Sequence, residues 1–226
     1  MPDDRAIISM IDHAVLAPDA TRDDVLSACA LAAELGVAGV CVHPRWVRVA
    51  AEALAGSAVA TGTVAGFPLG ANTSETKAVE AREAIVHGAD EIDMVMAITA
   101  LKSGDRAAVL DDIAAVVGAA YAASLEQPVV KVILEMCYLT DEEKRVAAEL
   151  AVEAGADFVK TSTGLGPSGA RVEDVALLRR LAPPRVGVKA AGGIRTLDDA
   201  RAMLAAGATR IGTSSTRAMV EELGVG

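Results

Sequence analysis

The chain has 226 residues, a hydrophobic fraction of 52%, only 2% aromatics and a formal net charge of -10. With no basic run to offset it, this acidic balance argues against non-specific attraction to nucleic acid or to an anionic lipid surface, and the low aromatic content means that small aliphatic side chains must fill the core. Cys29, Cys41 and Cys137 are scattered, with no CxxC pair and no histidine at ligand spacing, so neither a disulfide framework nor a zinc site is indicated.

In chain order, MetProAspAspArg offers no basic segment followed by an apolar stretch, and no later run is long enough to span a bilayer. The expectation is a soluble cytoplasmic protein with free thiols. A unit of amphipathic helix, glycine and short apolar strand then recurs, with the glycines at Gly36, Gly88, Gly155 and Gly207. Each stands where a helix ends in a left-handed cap before the chain enters a strand, and repeated helix-to-strand joints imply parallel strands. Strands are expected near residues 9–15, 38–42, 58–65, 91–96, 129–135, 157–161, 185–190 and 209–213.

Helices fill the gaps between these strands, starting at Thr21, Thr140 and Thr196, each with an acidic residue three positions on in capping-box spacing, and the last helix spans about 215–223. Eight alternating units in a chain of about this length predict an α/β fold, a (β/α)8 TIM barrel read as one domain over residues 1–226. An open doubly wound sheet shares the same local grammar.

Five residues on from each joint glycine stand Cys41, Asp93, Lys160 and Gly212, on the second, fourth, sixth and eighth strands. Alternate strands of a barrel feed common interior layers, so these four are expected in one tier, with Asp93 facing Lys160. Lys189 ends the seventh strand in ValLysAlaAlaGlyGly. Two ammonium groups at the ends of buried strands ask for a chemical reason, because a lysine near a second cation loses its proton more readily and its neutral amine attacks carbonyls. The plainer reading is a pair of ion-paired structural lysines.

Asp93 is the first choice of acid–base partner, and Asp12 a second candidate, as a relay or as an orienting partner for Lys189. Lys131 and Glu135 belong either to the same network or to a separate structural pair, and Thr161 is a candidate substrate contact. After the seventh strand come Gly192 and Gly193, and after the eighth come Gly212, Thr213, Ser214 and Ser215 opening a helix. Together these favour a phosphorylated small molecule, although a glycine pair is also a common turn and a serine pair a common cap. His13, His43 and His87 form no metal constellation, with His87 expected on the surface, His43 in a loop or helix entry and Trp46 in packing. The stretch 66–74 reads as a rigid loop over the active face that ends in a cap at Thr73 or Ser74.

These residues resemble the deoxyribose-phosphate aldolase family through IleAspHis (11–13), ValCysValHisPro (40–44), GlyPheProLeuGlyAlaAsnThrSerGluThrLys (66–77) and GluIleAspMetVal (91–95). The likeness continues in AlaLeuLysSerGly (100–104), LysValIleLeuGlu (131–135), PheValLysThrSerThrGly (158–164), ValLysAlaAlaGlyGlyIle (188–194) and IleGlyThrSerSer (211–215). The resemblance implies a metal-independent class I aldolase, without a cofactor, that reversibly cleaves 2-deoxy-D-ribose 5-phosphate to D-glyceraldehyde 3-phosphate and acetaldehyde. It implies Lys160 as the Schiff-base residue, Lys189 as the cation that lowers its pKa, and Asp93 in the proton relay. Gly192, Gly193, Ser214 and Ser215 would hold the phosphate, and the protein would be a homodimer.

The chain departs from the family pattern at Ala14, Ala17, Ala97 and Met136, all near strand ends, which bears on pocket polarity more than on reaction type. The short tail after the last helix is expected not to reach the pocket. Another phosphosugar-handling barrel enzyme, either an isomerase or a transaldolase-like transferase, and a non-catalytic phosphate-binding homologue are the competing readings.

Overall fold

All four glycine joints form in the computed structural model, which describes residues 4–223: Gly36, Gly88, Gly155 and Gly207 have φ of 65°, 100°, 90° and 108°. The chain ends on which the leader and tail expectations rest, residues 1–3 and 224–226, lie outside the described residues. The strands are β1 (Ile11–Val15), β2 (Gly39–Val42), β3 (Ala60–Ala65), β4 (Glu91–Val95), β5 (Val129–Ile133), β6 (Phe158–Lys160), β7 (Gly187–Ala191) and β8 (Arg210–Thr213). They pair in parallel, in sequence order, and β8 closes on β1, so the barrel reading holds and the open sheet is excluded.

The helices are α1 (Asp4–Ile8), α2 (Arg22–Leu35), α3 (Val47–Leu54), α4 (Ser74–Val86), α5 (Ile98–Lys102), α6 (Arg106–Ala122), α7 (Asp141–Glu153), α8 (Val172–Leu181), α9 (Leu197–Ala205) and α10 (Thr216–Glu222). Thr21, Thr140 and Thr196 each close the expected capping box, and Thr73 caps α4. Two short helices go beyond simple alternation, α1 ahead of β1 and α5 after β4. α5 opens directly on Ala97 and Ile98, the latter buried among the core residues that seat it on the barrel.

The strand register gives the tilt of the barrel. Cys41 is level with Gly62, which is level with Glu91, so Asp93 stands two residues further along than the hydrogen-bonded row through Cys41. The same offset leads from Asp93 through Lys131 and Phe158 to Lys160, and from Lys160 through Lys189 and Arg210 to Gly212. From Gly212 the row passes Asp12 and Gly39, two short of Cys41. Four offsets of two make the shear of eight expected for this barrel type, and they place Cys41, Asp93, Lys160 and Gly212 in one tier perpendicular to the axis. The same counting along the odd strands makes Asp12, Gly62, Lys131 and Lys189 a second, interleaved tier. One step deeper on the even strands lie Gly39, Glu91, Phe158 and Arg210.

The outer layer is built as the composition requires. Ala81 and Ala84 of α4, Ala147, Ala148 and Ala151 of α7 and Ala200 of α9 are buried, so helices approach the sheet closely over small side chains.

Candidate active site

The barrel interior is charged at its centre. Asp93 is fully buried, and its Oδ2 accepts from Lys160 Nζ at 2.7 Å and from Lys189 Nζ at 2.7 Å, while its Oδ1 accepts from Lys131 Nζ at 2.9 Å. Asp12 Oδ2 takes Lys189 and stands 3.3 Å from Lys131 Nζ, and its Oδ1 accepts from Arg210 Nη1 at 2.6 Å. Glu91 binds Lys131 through Oε2 and lies 3.3 Å from Arg210 Nη1 through Oε1. The Arg210 guanidinium also lies over the Phe158 ring, 5.4 Å from its centroid.

The expected juxtaposition of Asp93 and Lys160 is therefore present, with Lys189 and Asp12 in the same cluster. Lys131 belongs to it as well, but its carboxylate partners are Glu91, Asp93 and Asp12, and not Glu135. Glu135 lies beyond the end of β5 with φ of 52°, in the left-handed region that breaks strand alternation, and it accepts from the Thr163 hydroxyl and amide instead. Glu91 and Arg210 were missed by sequence reasoning. The signal was available: each lies two residues before a tier residue, Asp93 and Gly212, and so points to the same interior.

Ionisation follows from these contacts. Burial alone would raise the Asp93 carboxyl, but the three ammonium groups hold it well below the usual carboxylate range. Asp12 is lowered too, since Lys131, Lys189 and Arg210 outweigh its burial. Lys131 and Lys189 are held above ordinary lysine by their carboxylates despite burial. Lys160 goes the other way: burial lowers it, Asp93 opposes, and the Lys189 charge lowers it further. Among the described residues its one carboxylate partner is Asp93, against three for Lys131 and two for Lys189.

A cavity of about 690 Å³ opens above this cluster at the C-terminal ends of the strands. Its floor includes Lys160, Lys189, Asp12 and Cys41. The Cys41 thiol is pushed up to about 11 by burial and the Asp93 charge, so it stays protonated near neutral pH. One wall carries Gly192, Gly193, Gly212, Ser214 and Ser215, all the residues the sequence nominated for an anion, and adds Arg195. Gly192 has φ of 90°, and a Cβ there would meet Gly169 Cα at 2.9 Å, so only glycine fits where the loop after β7 touches the loop after β6.

The Thr213 hydroxyl ties this wall together, donating to Ile194 O at 2.7 Å and accepting from Ser215 N at 2.9 Å. The Ser215 hydroxyl makes no capping bond to α10. Next to it, from β1 and the loop that follows, come Asp19 and Asp24 with the apolar Ala14, Val15, Leu16 and Ala17, so an anionic group is favoured beside Arg195 and away from these two carboxylates.

Thr161, proposed to touch substrate, does not line the cavity. It follows Lys160, so the pleat turns it outward, and its hydroxyl is held between Ala191 O at 3.2 Å and Ala191 N at 3.1 Å. His43 is the N-cap residue of a short turn at Pro44–Trp46, Trp46 packs against the core, and His87 ends α4 beside Glu83. Phe67, from the 66–74 loop, reaches the cavity, so that loop helps to shape it.

Taken together, fold and site define a (β/α)8 barrel with a buried lysine amine at the floor of an open, anion-receptive cavity. Residues 6–222 match the model of the DeoC/LacD family aldolases. A deoxyribose-phosphate aldolase of Bacillus cereus is 54% identical over 214 residues, 95% of this chain and 94% of that protein, and one of Bacillus anthracis is 53% identical over the same span. The tetrameric deoxyribose phosphate aldolase structure from Aeropyrum pernix superposes with a TM-score of 0.91 at 34% identity, covering 100% of this chain and 94% of that one. An aldolase designated QR15 gives 0.89 at 40% identity, covering 99% and 96%. The chain belongs to the DeoC/LacD aldolase family.

Proposed function

We propose that this protein reversibly cleaves 2-deoxy-D-ribose 5-phosphate to D-glyceraldehyde 3-phosphate and acetaldehyde, through a Schiff base on Lys160. The observation that carries the reading is the position of Lys160: an amine lowered by burial, sharing its one carboxylate with a neighbouring cation, at the floor of the cavity. The neutral amine attacks the aldehyde carbon of the open-chain sugar, and loss of water leaves an iminium. As the C3 hydroxyl gives up its proton, the C2–C3 bond breaks and its electron pair flows into the iminium, which becomes an enamine as the phosphorylated aldehyde leaves. Protonation of the enamine carbon and addition of water then release acetaldehyde and restore the amine.

Lys189 bridges Asp93 and Asp12, so a proton taken up at one point of the cluster can be returned at another. The iminium is itself the electron sink, so this route calls on no metal or cofactor. Arg195, Ser214, Ser215 and the glycines of the same wall hold the phosphate, directing the reactive end of the sugar down toward Lys160. Ala14 and Ala17 stand where the family pattern has a hydroxyl and a lysine, so the β1 side offers the phosphate no donor from these two positions and the anion is read from the β7 and β8 side. Homodimeric assembly and a cytoplasmic location complete the proposal; the first predicts a dimer mass in light scattering.

The test is turnover of the purified protein on 2-deoxyribose 5-phosphate with coupled detection of both aldehydes, followed by borohydride reduction with acetaldehyde and peptide mass analysis. Both aldehydes and an adduct on Lys160 are expected. Turnover with the adduct elsewhere, or binding of the phosphosugar without cleavage, would defeat the proposal.

A further inference from the structure

The barrel interior holds more basic groups than acids. Every interior strand except β3 contributes a titratable group: Asp12 from β1, Cys41 from β2, Glu91 and Asp93 from β4, Lys131 from β5, Lys160 from β6, Lys189 from β7 and Arg210 from β8. The thiol is uncharged, which leaves three carboxylates facing four bases. In a medium of low dielectric the cluster is balanced when one base is neutral, and an arginine cannot be that one.

The contacts single out Lys160. Lys131 reaches three carboxylates, Lys189 and Arg210 two each, and Lys160 one, on an oxygen it shares with Lys189.

We propose that Arg210 and Glu91, one tier beneath the lysines and outside the cavity, are positioning residues that set the protonation of Lys160 by fixing the charge count of the barrel interior. Arg210 does so as the permanent fourth cation. It occupies Asp12 Oδ1, leaving only Asp12 Oδ2 for Lys131 and Lys189, and it competes with Lys131 for Glu91. Without it the interior would be balanced with all three lysines charged, and Lys160 would be unreactive near neutral pH. Glu91 acts in the opposite sense, and removing its charge makes every remaining ammonium harder to keep.

The inference rests on the Schiff-base reading of Lys160, and its test separates the two. Borohydride trapping of acetaldehyde on Lys160 is measured across pH for the wild-type protein and for Arg210→Met, Arg210→Lys and Glu91→Gln, each checked for folding by circular dichroism. The midpoint should move up by roughly one pH unit in Arg210→Met, stay near the wild-type value in Arg210→Lys, and move down in Glu91→Gln. A purely structural role would lower trapping equally at every pH. Unmoved midpoints in folded Arg210→Met and Glu91→Gln, or shifts of the two in the same direction, would overturn the inference while leaving the Schiff base intact. If Arg210→Met does not fold, Glu91→Gln and Arg210→Lys decide the matter. Absence of any wild-type adduct on Lys160 would remove the parent reading and this one with it.

Discussion

Two lysine sites in this molecule are equally buried and built to opposite ends. Between α4 and α6, Lys77 meets Asp112 at 2.8 Å with both side chains at 0% exposure, and the second Asp112 oxygen accepts from the Ser74 hydroxyl at 3.0 Å. That is one cation and one anion, sealed under helices. Inside the barrel, Lys160 is as deep, but its carboxylate is shared with two more ammonium groups and a cavity opens above it. The difference shows that burial alone does not make a lysine reactive. What matters is a local excess of positive charge together with access for a carbonyl.

Replacing the barrel lysine tests this contrast hardest. Lys160→Ala should lower cleavage of 2-deoxyribose 5-phosphate by at least about 10⁴-fold with the fold retained, since the nucleophile itself is gone. A coupled assay beside a thermal melt checks both. Lys189→Leu should cost about 10²-fold near neutral pH. The loss should ease as pH rises: removing the neighbouring cation raises the Lys160 amine toward the ordinary lysine value, so the acid limb of the kcat/KM profile moves up. A profile lowered uniformly would assign Lys189 a structural role.

Ser214→Ala with Ser215→Ala should raise KM for the phosphorylated sugar about tenfold and leave the unphosphorylated sugar unchanged, the loss of about 1.4 kcal/mol of phosphate binding. Equal effects on both sugars would move the anion site elsewhere. At the sealed pair the contrast predicts the reverse: Lys77→Met should lower stability by about 3–5 kcal/mol, because Asp112 is left buried and uncompensated. Once corrected for the folded fraction, its kcat/KM should match the wild type, and prior incubation of either protein with a chelator should change nothing.

Much of this was legible in the residues. A glycine in a left-handed cap marks where a strand begins, and strand alternation then fixes which side chains point inward, which is why Cys41, Asp93, Lys160 and Gly212 could be assigned to one tier. β1, β3, β5 and β7 lack that joint glycine, so the second tier had no anchor in the sequence and Lys131 was left without a certain partner.

The assignments that failed lie just past the strands or out of phase with them. Glu135 leaves the pleat through a positive φ that no residue pattern announces. Thr161 is a simpler case, since alternation from Lys160 already turns it outward, away from the cavity. Arg195 escaped notice because only the folded loop after β7 brings it to the cavity beside Ser214 and Ser215.

The most direct measurement is the titration of the lysine side chains themselves. The chain has six lysines, Lys77, Lys102, Lys131, Lys144, Lys160 and Lys189, few enough for each ¹³Cε signal to be assigned by single substitution in isotope-labelled protein. Lys160 is expected to lose its proton below the ordinary lysine value of about 10.4, while Lys131 and Lys189 stay charged beyond it. A Lys160 signal that titrates at the ordinary lysine value, or later, would contradict this expectation.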